Sequence, residues 1–538
     1  MDFDTFNTLI PPCEYKPSEN IFIIPPETLS LIAQKAFERL SFTFTQKHLE
    51  HLTAIVHEPL NSVNDRLVAS FLLQNALISA KEQYPLCQDT GIAQIFAWKD
   101  ETIFTGYDPI EPLSEGTTKT WTEKNLRFST TIPTSLFEET NPSTNLPVQI
   151  ALFNGNNTKE SKPTWRFLFC AKGGGSSNKT HLVQATKALL NEEAFTIFLR
   201  KQIQALGTAA CPPYSICIIV GGLSPEQNLL ALKLATAGYF DQTLSGWDYR
   251  VYGVIPLRIH EWEKKVITIA EETGLGAQFG GKALAISARV FRLPRHGASC
   301  PVSIGVSCSA HRNLHGFIDE EGIHLEATVS NPASIPGLLE AAKYTKSGLT
   351  GCCLINLDEG IENVRKILSK LSPGTPVLLS GDILVARDAA HARWRENLRA
   401  GMPLPSYTTQ YAILYAGPSE TPPSCITGSF GPTTAGRMDE YAEELMSRNC
   451  SLVTLAKGNR SESWRKACEQ YGGTYLGTVG GAAALIAEKH IRKSEILDYP
   501  DLGMEAVRKI TLIDLPAFVL INDKGEDFYA FISNITSC

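Results

Sequence analysis

The stretch YSICIIVGGLSPEQNLLALKLAT, residues 214–236, joins a short apolar run bounded by glycines to a segment whose apolar positions recur at helical spacing. The first part reads as a buried strand and the second as a helix. Working outward, TWRFLFCAKGGG (164–175) reads as a strand entering a glycine loop. EAFTIFLRKQIQAL (193–206) reads as a helix that Gly207 terminates. Upstream, Pro26 opens a helix in which Leu29, Leu31, Ile32, Ala36 and Leu40 share a face, and a second helix covers 64–83. LHGFIDEEGIHLEATV (314–329) reads as two hairpin strands turning at Glu321–Gly322, placed at the periphery of the first unit. After a polar, proline-rich passage, strand and helix alternate again: GDILVARDAAHARWRENLRAG (381–401), AILYAGP (412–418), the helix TAGRMDEYAEELMSR (434–448), SLVTLAKGN (451–459) and TYLGTVGGAAALI (474–486). The pattern predicts an α/β protein without internal repeats: a lead-in over 1–25, an α+β unit over 26–345 and a smaller α/β unit over 346–538.

Composition narrows the function classes. A chain of 538 residues, 43% apolar and 20% charged, supports substantial cores. A net charge of −7 without a lysine-rich tail gives no encouragement to a nucleic-acid partner. The acidic N-terminus lacks an apolar signal core, and no apolar run is long enough for a membrane span. Thirteen irregularly spaced cysteines then fit a cytoplasmic enzyme with reduced thiols better than a disulfide framework.

The most function-like segments are the polar loops around Cys87 (YPLCQDTGIA), Cys211 (LGTAACPPY) and Cys308 (RLPRHGASCPVSIGVSCSAHRN). They contain no CxxC pair, so any metal site is assembled by folding. Each cysteine taken singly also reads as an inert buried thiol, as do Cys170, Cys217, Cys300, Cys352 and Cys353. Arg387 and Lys457 directly follow apolar strands, Arg127 lies in WTEKNLRFST, and Arg437 falls in a first helical turn, where the dipole disfavours cations. An anion at the helix start made by 431–436 explains Arg437; a surface charge or structural salt bridge is the plainer reading of any one of the four. Thr433 reads either as functional or as a helix N-cap, His296 as functional or as a loop histidine, and Asp89 as functional or as capping the DTG turn. The glycines of AKGGGS lack the phosphate-loop spacing and suit close backbone approach by a small polar ligand.

In order and spacing, CQDTG, CAKGGGSSNKT, LGTAACPPY, GLGAQFGGK, RLPRHGASCPVSIGVSCSAHRN, YAGP, GPTTAGRMD, LAKGNR and DLPAF resemble the class I, iron–sulfur-dependent fumarate hydratases, from about Pro26 to about Phe531. The resemblance implies an N-terminal cluster-binding unit and a C-terminal α/β unit of swivelling type, with the active site between them. It implies a [4Fe-4S] cluster on Cys87, Cys211 and Cys308 that acts as a Lewis acid in the reversible hydration of fumarate to (S)-malate, a reaction of the tricarboxylic acid cycle. Thr433 is then the base at C3, with Asp89 and His296 relaying its proton. Gln88, Arg127, Gly173, Arg387, Arg437 and Lys457 are then the contacts of a dicarboxylate substrate. It further implies a homodimer, and relative motion of the units to admit substrate. Relatives that dehydrate L-tartrate or hydrate mesaconate are the alternatives within enzymes, though fusion of both units in one chain favours fumarate. An iron-sensing or iron-binding protein on the same scaffold is the alternative of another class, and the presence of Thr433 and the cations argues against it.

Overall fold

The computed structural model describes residues 2–6, 13–155, 162–241 and 247–536. Tyr214–Gly222 is a strand in which every residue is buried, with Cys300–Ser307 antiparallel on one side and Ala285–Arg295 parallel on the other. Together with His181–Ala185 and Leu257–Arg258 these strands make a five-stranded sheet. The helix Pro225–Thr236 folds back on it, its N-terminus capped by Ser224 Oγ, which accepts from Gln227 N at 3.2 Å. A six-stranded sheet runs in the order Phe3–Phe6, Gly322–Glu326, Asn313–Asp319, Trp165–Lys172, Ile92–Lys99, Gln149–Asn154. One of its faces packs on the helix Pro26–Phe42 through Phe37, Trp121 and Phe169. Its other face meets the five-stranded sheet through Phe96, Leu168 and Cys170 against Cys217, Ile219 and Leu232.

The second unit is built on Pro376–Val385, Ile413–Leu414, Val453–Ala456 and Thr474–Thr478, paired in parallel in that order. The long strand Val507–Ile521 pairs antiparallel with both the first and the last of these, which closes the sheet into a ring. Strand and helix content in both units makes this an α/β protein, as the sequence pattern predicts. The short helices Leu338–Ala342 and Tyr344–Gly348 pack on Val63–Ser79 of the first unit, and Cys353–Asn356 already belongs to the second sheet.

Four sequence expectations change. The hairpin placed at the periphery puts Asn313–Asp319 inside the six-stranded sheet, because Leu314, Ile318, Ile323 and Leu325 are fully buried against the first helix. The helix Gln46–His57 was missed; its apolar residues Leu49, Leu52, Ile55 and Val56 are interleaved with three histidines, Glu50 and Lys47. The helix expected over 434–448 divides into a tight 3₁₀ segment, Ala435–Tyr441, and a short α-helix, Ala442–Met446. In the lead-in, Phe3–Phe6 pairs with Gly322–Glu326, and Ile21–Ile23 pairs with Ile103–Phe104, so these residues belong to the first unit's sheets; Met1 and 7–12 lie outside the described residues.

Candidate active site

The three cysteine loops meet where the two units touch. Cys308 directly follows the buried strand ending at Ser307, and Ser309 N donates to Cys211 O at 3.1 Å, which ties two of the loops together. Cys211 has a φ of +61°, a left-handed conformation that a non-glycine residue adopts only where its surroundings enforce it. Gln278 supplies part of that enforcement, donating from Nε2 to Pro212 O (3.1 Å) and Gly480 O (2.9 Å) and accepting from Gly480 N (2.7 Å). The Cys87 loop is held by Asn75, which donates to Leu86 O and accepts from Leu485 N of the second unit.

Lys457 Nζ lies 2.8 Å from Cys211 Sγ. Burial alone would lower the pKa of this ammonium, but the sulfurs of Cys211, Cys87 and Cys308 raise it, so all three act on one buried cation. Burial likewise pushes the Cys87 thiol up and the Cys211 thiol up to about 11, against the pull of Lys457. Among the described residues no three His, Cys, Asp or Glu side chains converge on a point suited to a single metal ion. Cys170 and Cys217 lie between the first unit's sheets and Cys300 in the main core, as inert thiols should; Cys352 and Cys353 are partly exposed rather than buried.

Asp89 accepts from Arg127 Nη2 (2.7 Å), Gly174 N (2.9 Å) and Gly91 N (3.2 Å). Burial would raise its pKa, but Arg127, Arg312 and these amides hold the carboxyl well below the usual range. Gly173 is required by this packing, since a Cβ there would sit 2.8 Å from Asp89 Oδ2. Arg127 also donates to Gly417 O at 3.4 Å, and Arg387 Nη1 packs against Gly417, 2.7 Å from where a Cβ would be. Arg387 pairs with Glu505 (2.7 Å) and Asp388 (3.2 Å), and Arg437 reaches the same Asp388 oxygen at 3.5 Å. Burial lowers the pKa of Arg437, with the charges of Arg387 and Arg127 acting in the same direction and Asp388 opposing.

Thr433 is joined to Lys457 through the backbone, Lys457 N donating to Thr433 O at 3.2 Å. Its hydroxyl is buried and has no hydrogen-bond partner among the described residues. The N-cap position of the following 3₁₀ segment belongs to Thr434, so capping does not account for Thr433. Gln88 crosses between the units, donating to Pro432 O at 3.2 Å, with its Oε1 close against Gly431.

His296 is the exception. It lies exposed in the turn between Ala285–Arg295 and Cys300–Ser307, its Nδ1 accepting from Ala298 N. Cys308 is at the opposite end of that eight-residue strand, roughly 25 Å away at about 3.3 Å per residue. The chain therefore does not bring His296 to Asp89 and Thr433. Two buried cations were missed: Arg312, whose charge acts on both Asp89 and Cys87, and Lys172, whose Nζ lies 3.5 Å from Ser307 Oγ. Burial lowers the Lys172 pKa to about 8. The available signal was a basic residue ending one strand and another just before the next, Lys172 closing Trp165–Lys172 and Arg312 preceding Asn313–Asp319, which antiparallel pairing puts at the same end.

Comparison with known proteins follows the same division of the chain. The family pattern described as fumarate hydratase matches residues 30–316, and the one described as fumarase C-terminus matches 329–532. The chain is 44% identical to fumarate hydratase 2 of Leishmania major, over 94% of this chain and 87% of that protein. It is also 44% identical to the anaerobic class I fumarate hydratase of Escherichia coli (strain K12), over 96% and 92%. A putative L(+)-tartrate dehydratase subunit beta of Methanocaldococcus jannaschii is 33% identical over 31% of this chain and 87% of that protein.

A substitution at Gly480 tests the packing of the site. An added methyl would lie 2.5 Å from Cys211 Sγ and 2.9 Å from Lys457 Cδ. Gly480→Ala is expected to cost about 1–3 kcal/mol of stability by overpacking, read from urea unfolding. An unchanged unfolding midpoint would show that the loop moves freely.

Proposed function

The chain belongs to the class I fumarate hydratase family, and from that premise we propose that it interconverts fumarate and (S)-malate in the cleft between its two units. The observation that carries this reading is the Thr433 hydroxyl, buried without a partner on a segment bonded to Lys457, whose ammonium touches Cys211. A buried hydroxyl left unpaired is costly unless it serves a ligand or a reaction.

The cations supply what a dicarboxylate needs. Arg127 and Arg387 both contact Gly417, and Arg437 adjoins Arg387 at Asp388. Guanidinium groups bind planar carboxylates in a fixed orientation, which places C2 and C3 of malate relative to Thr433. Removing the C3 proton moves negative charge onto the C4 carboxylate, where these cations stabilise it more strongly than in the ground state. Thr433 takes that proton, and the neighbouring cations favour the ionised form of its oxygen. Asp89, held ionised by Arg127 and Arg312, is a weak base; its part is to orient Arg127 and to balance charge beside Gln88 and the Gly173–Gly174 backbone.

Cys87, Cys211 and Cys308 fit a [4Fe-4S] centre by their shared action on Lys457 and by the excess of buried cations around them. When bound, that centre supplies a Lewis acid for departure of the C2 oxygen. His296 has no access to this site within its own chain. It keeps a role only in the homodimer that the family resemblance implies, through the turn of a second copy. Sedimentation of the active protein checks this, and a fully active monomer removes His296 from the mechanism.

L-tartrate is the second substrate reading, favoured for the second unit alone by its likeness to a tartrate dehydratase subunit. Anaerobic reconstitution with iron and sulfide, followed by malate, L-tartrate and mesaconate assays, separates these readings. Iron-loaded protein that converts none of them overturns the hydro-lyase assignment. Thr433→Ala is expected to keep the cluster absorbance and malate binding while turnover falls by about 10²–10⁴-fold; near-normal turnover removes Thr433 from the base role. Cys308→Ser should lose most of its iron on reconstitution and Cys300→Ser little, by direct iron analysis. Equal loss in both would mean that the ligand in this segment is misassigned.

A further inference from the structure

The charges of the site do not balance among the residues that form it. Arg127 is answered by Asp89, Arg387 by Asp388 and Glu505, and Arg437 shares Asp388. Arg312 and Lys172 are different. They are 5% and 7% exposed, and among the described residues no carboxylate lies within ion-pair distance of either. Among the described residues Arg312 Nε is buried without a hydrogen-bond partner. Its Nη2 lies 3.4 Å from the point over Gly173 that is 2.8 Å from Asp89 Oδ2, so the guanidinium faces the Cys87–Asp89 side of the site. Lys172 Nζ makes two long contacts among the described residues, 3.5 Å each, to Thr236 O and to the hydroxyl of Ser307, the residue before Cys308.

Burying an unpaired cation is costly, and removing its anion from a buried pair is costlier still. A chain that keeps two such cations beside three thiols is arranged for a negative charge that arrives after folding. We propose that Arg312 and Lys172 are positioning residues for the iron–sulfur centre, Arg312 opposite Cys87 and Lys172 behind Cys308, each serving as a counter-charge to the thiolates. The inference rests on the cluster reading above. Each thiol that becomes a ligand releases its proton to solvent and leaves a negative sulfur in a space with little water. The two cations offset that charge without touching substrate.

The test compares anaerobically reconstituted wild type with Arg312→Met and Lys172→Met, which keep side-chain bulk and remove the charge. Three readouts are taken: loss of iron to a chelator, the midpoint potential of the cluster, and the melting temperature of the metal-free protein. Each variant is expected to lose iron about tenfold faster or more, and its potential to shift negative, because a nearby cation favours the reduced, more negative centre. The metal-free Lys172→Met protein is expected to melt at or above the wild-type temperature, since an uncompensated charge has gone; Arg312 also acts on Asp89, so its variant is judged by iron retention and potential alone. Unchanged iron retention and potential in both variants overturn the proposal. So does a lower metal-free melting temperature in Lys172→Met, which marks a structural role. Should Arg312→Met fail to fold, Arg312→Lys must restore wild-type retention, and Lys172→Met decides the matter independently. Wild-type protein that takes up no iron sinks the cluster reading and this inference together, whereas loaded wild type with indistinguishable variants sinks this inference alone.

Discussion

The contact between Lys457 Nζ and Cys211 Sγ, 2.8 Å long and buried, is the interaction on which the rest of the site depends. Lys457 comes from the second unit and Cys211 from a strained turn of the first. The lysine backbone also fixes the segment that carries Thr433. One residue therefore sets the distance between the thiol group of the first unit and the hydroxyl of the second. The surrounding bonds keep that distance: Gln278 clamps Pro212 and Gly480, Asn75 spans Leu86 and Leu485, Ser429 reaches Pro85 O, and Phe279 stacks on Phe518 at 4.1 Å. These are buried polar and aromatic contacts, and an opening between the units along this seam would have to break several at once.

Electrostatics gives the site its second constraint. Arg127, Arg387 and Arg437 are opposed by Asp89, Asp388 and Glu505, while Lys457, Arg312 and Lys172 lie on the side of the three thiols. Such an arrangement destabilises the empty protein relative to one with the anions in place, a common trade between stability and function. It also explains why Asp89 is held so firmly ionised, and why a carboxylate there is poorly suited to removing a carbon-bound proton.

Much of the fold was legible because its central strands are extreme. Tyr214–Gly222 and Trp165–Lys172 are buried at every position, and a mostly apolar run of that length that follows proline and ends at glycines has few other readings. The helix at Gln46–His57 escaped because His48, Glu50 and His51 break its apolar stripe, and the hairpin was misplaced because sequence shows the turn but not the neighbouring strand. In the site, residues next to motif glycines and cysteines were found. His296 was grouped with Cys308 because twelve positions separate them in one motif, while an extended strand places them at opposite ends of a sheet. Arg312 and Lys172 escaped for the reverse reason: only pairing of Asn313 with Cys170 brings the two together.

Arg437 differs from the other cations of the cage in that its side chain is 43% exposed. A dianion approaching from solution meets this guanidinium before it meets any of the buried ones. Its attraction extends about 8 Å into physiological salt and weakens as ionic strength rises. On the proposed function Arg437 serves encounter as well as grip: the rate of capture becomes a property of the medium, while the fit of the captured acid is left to the interior.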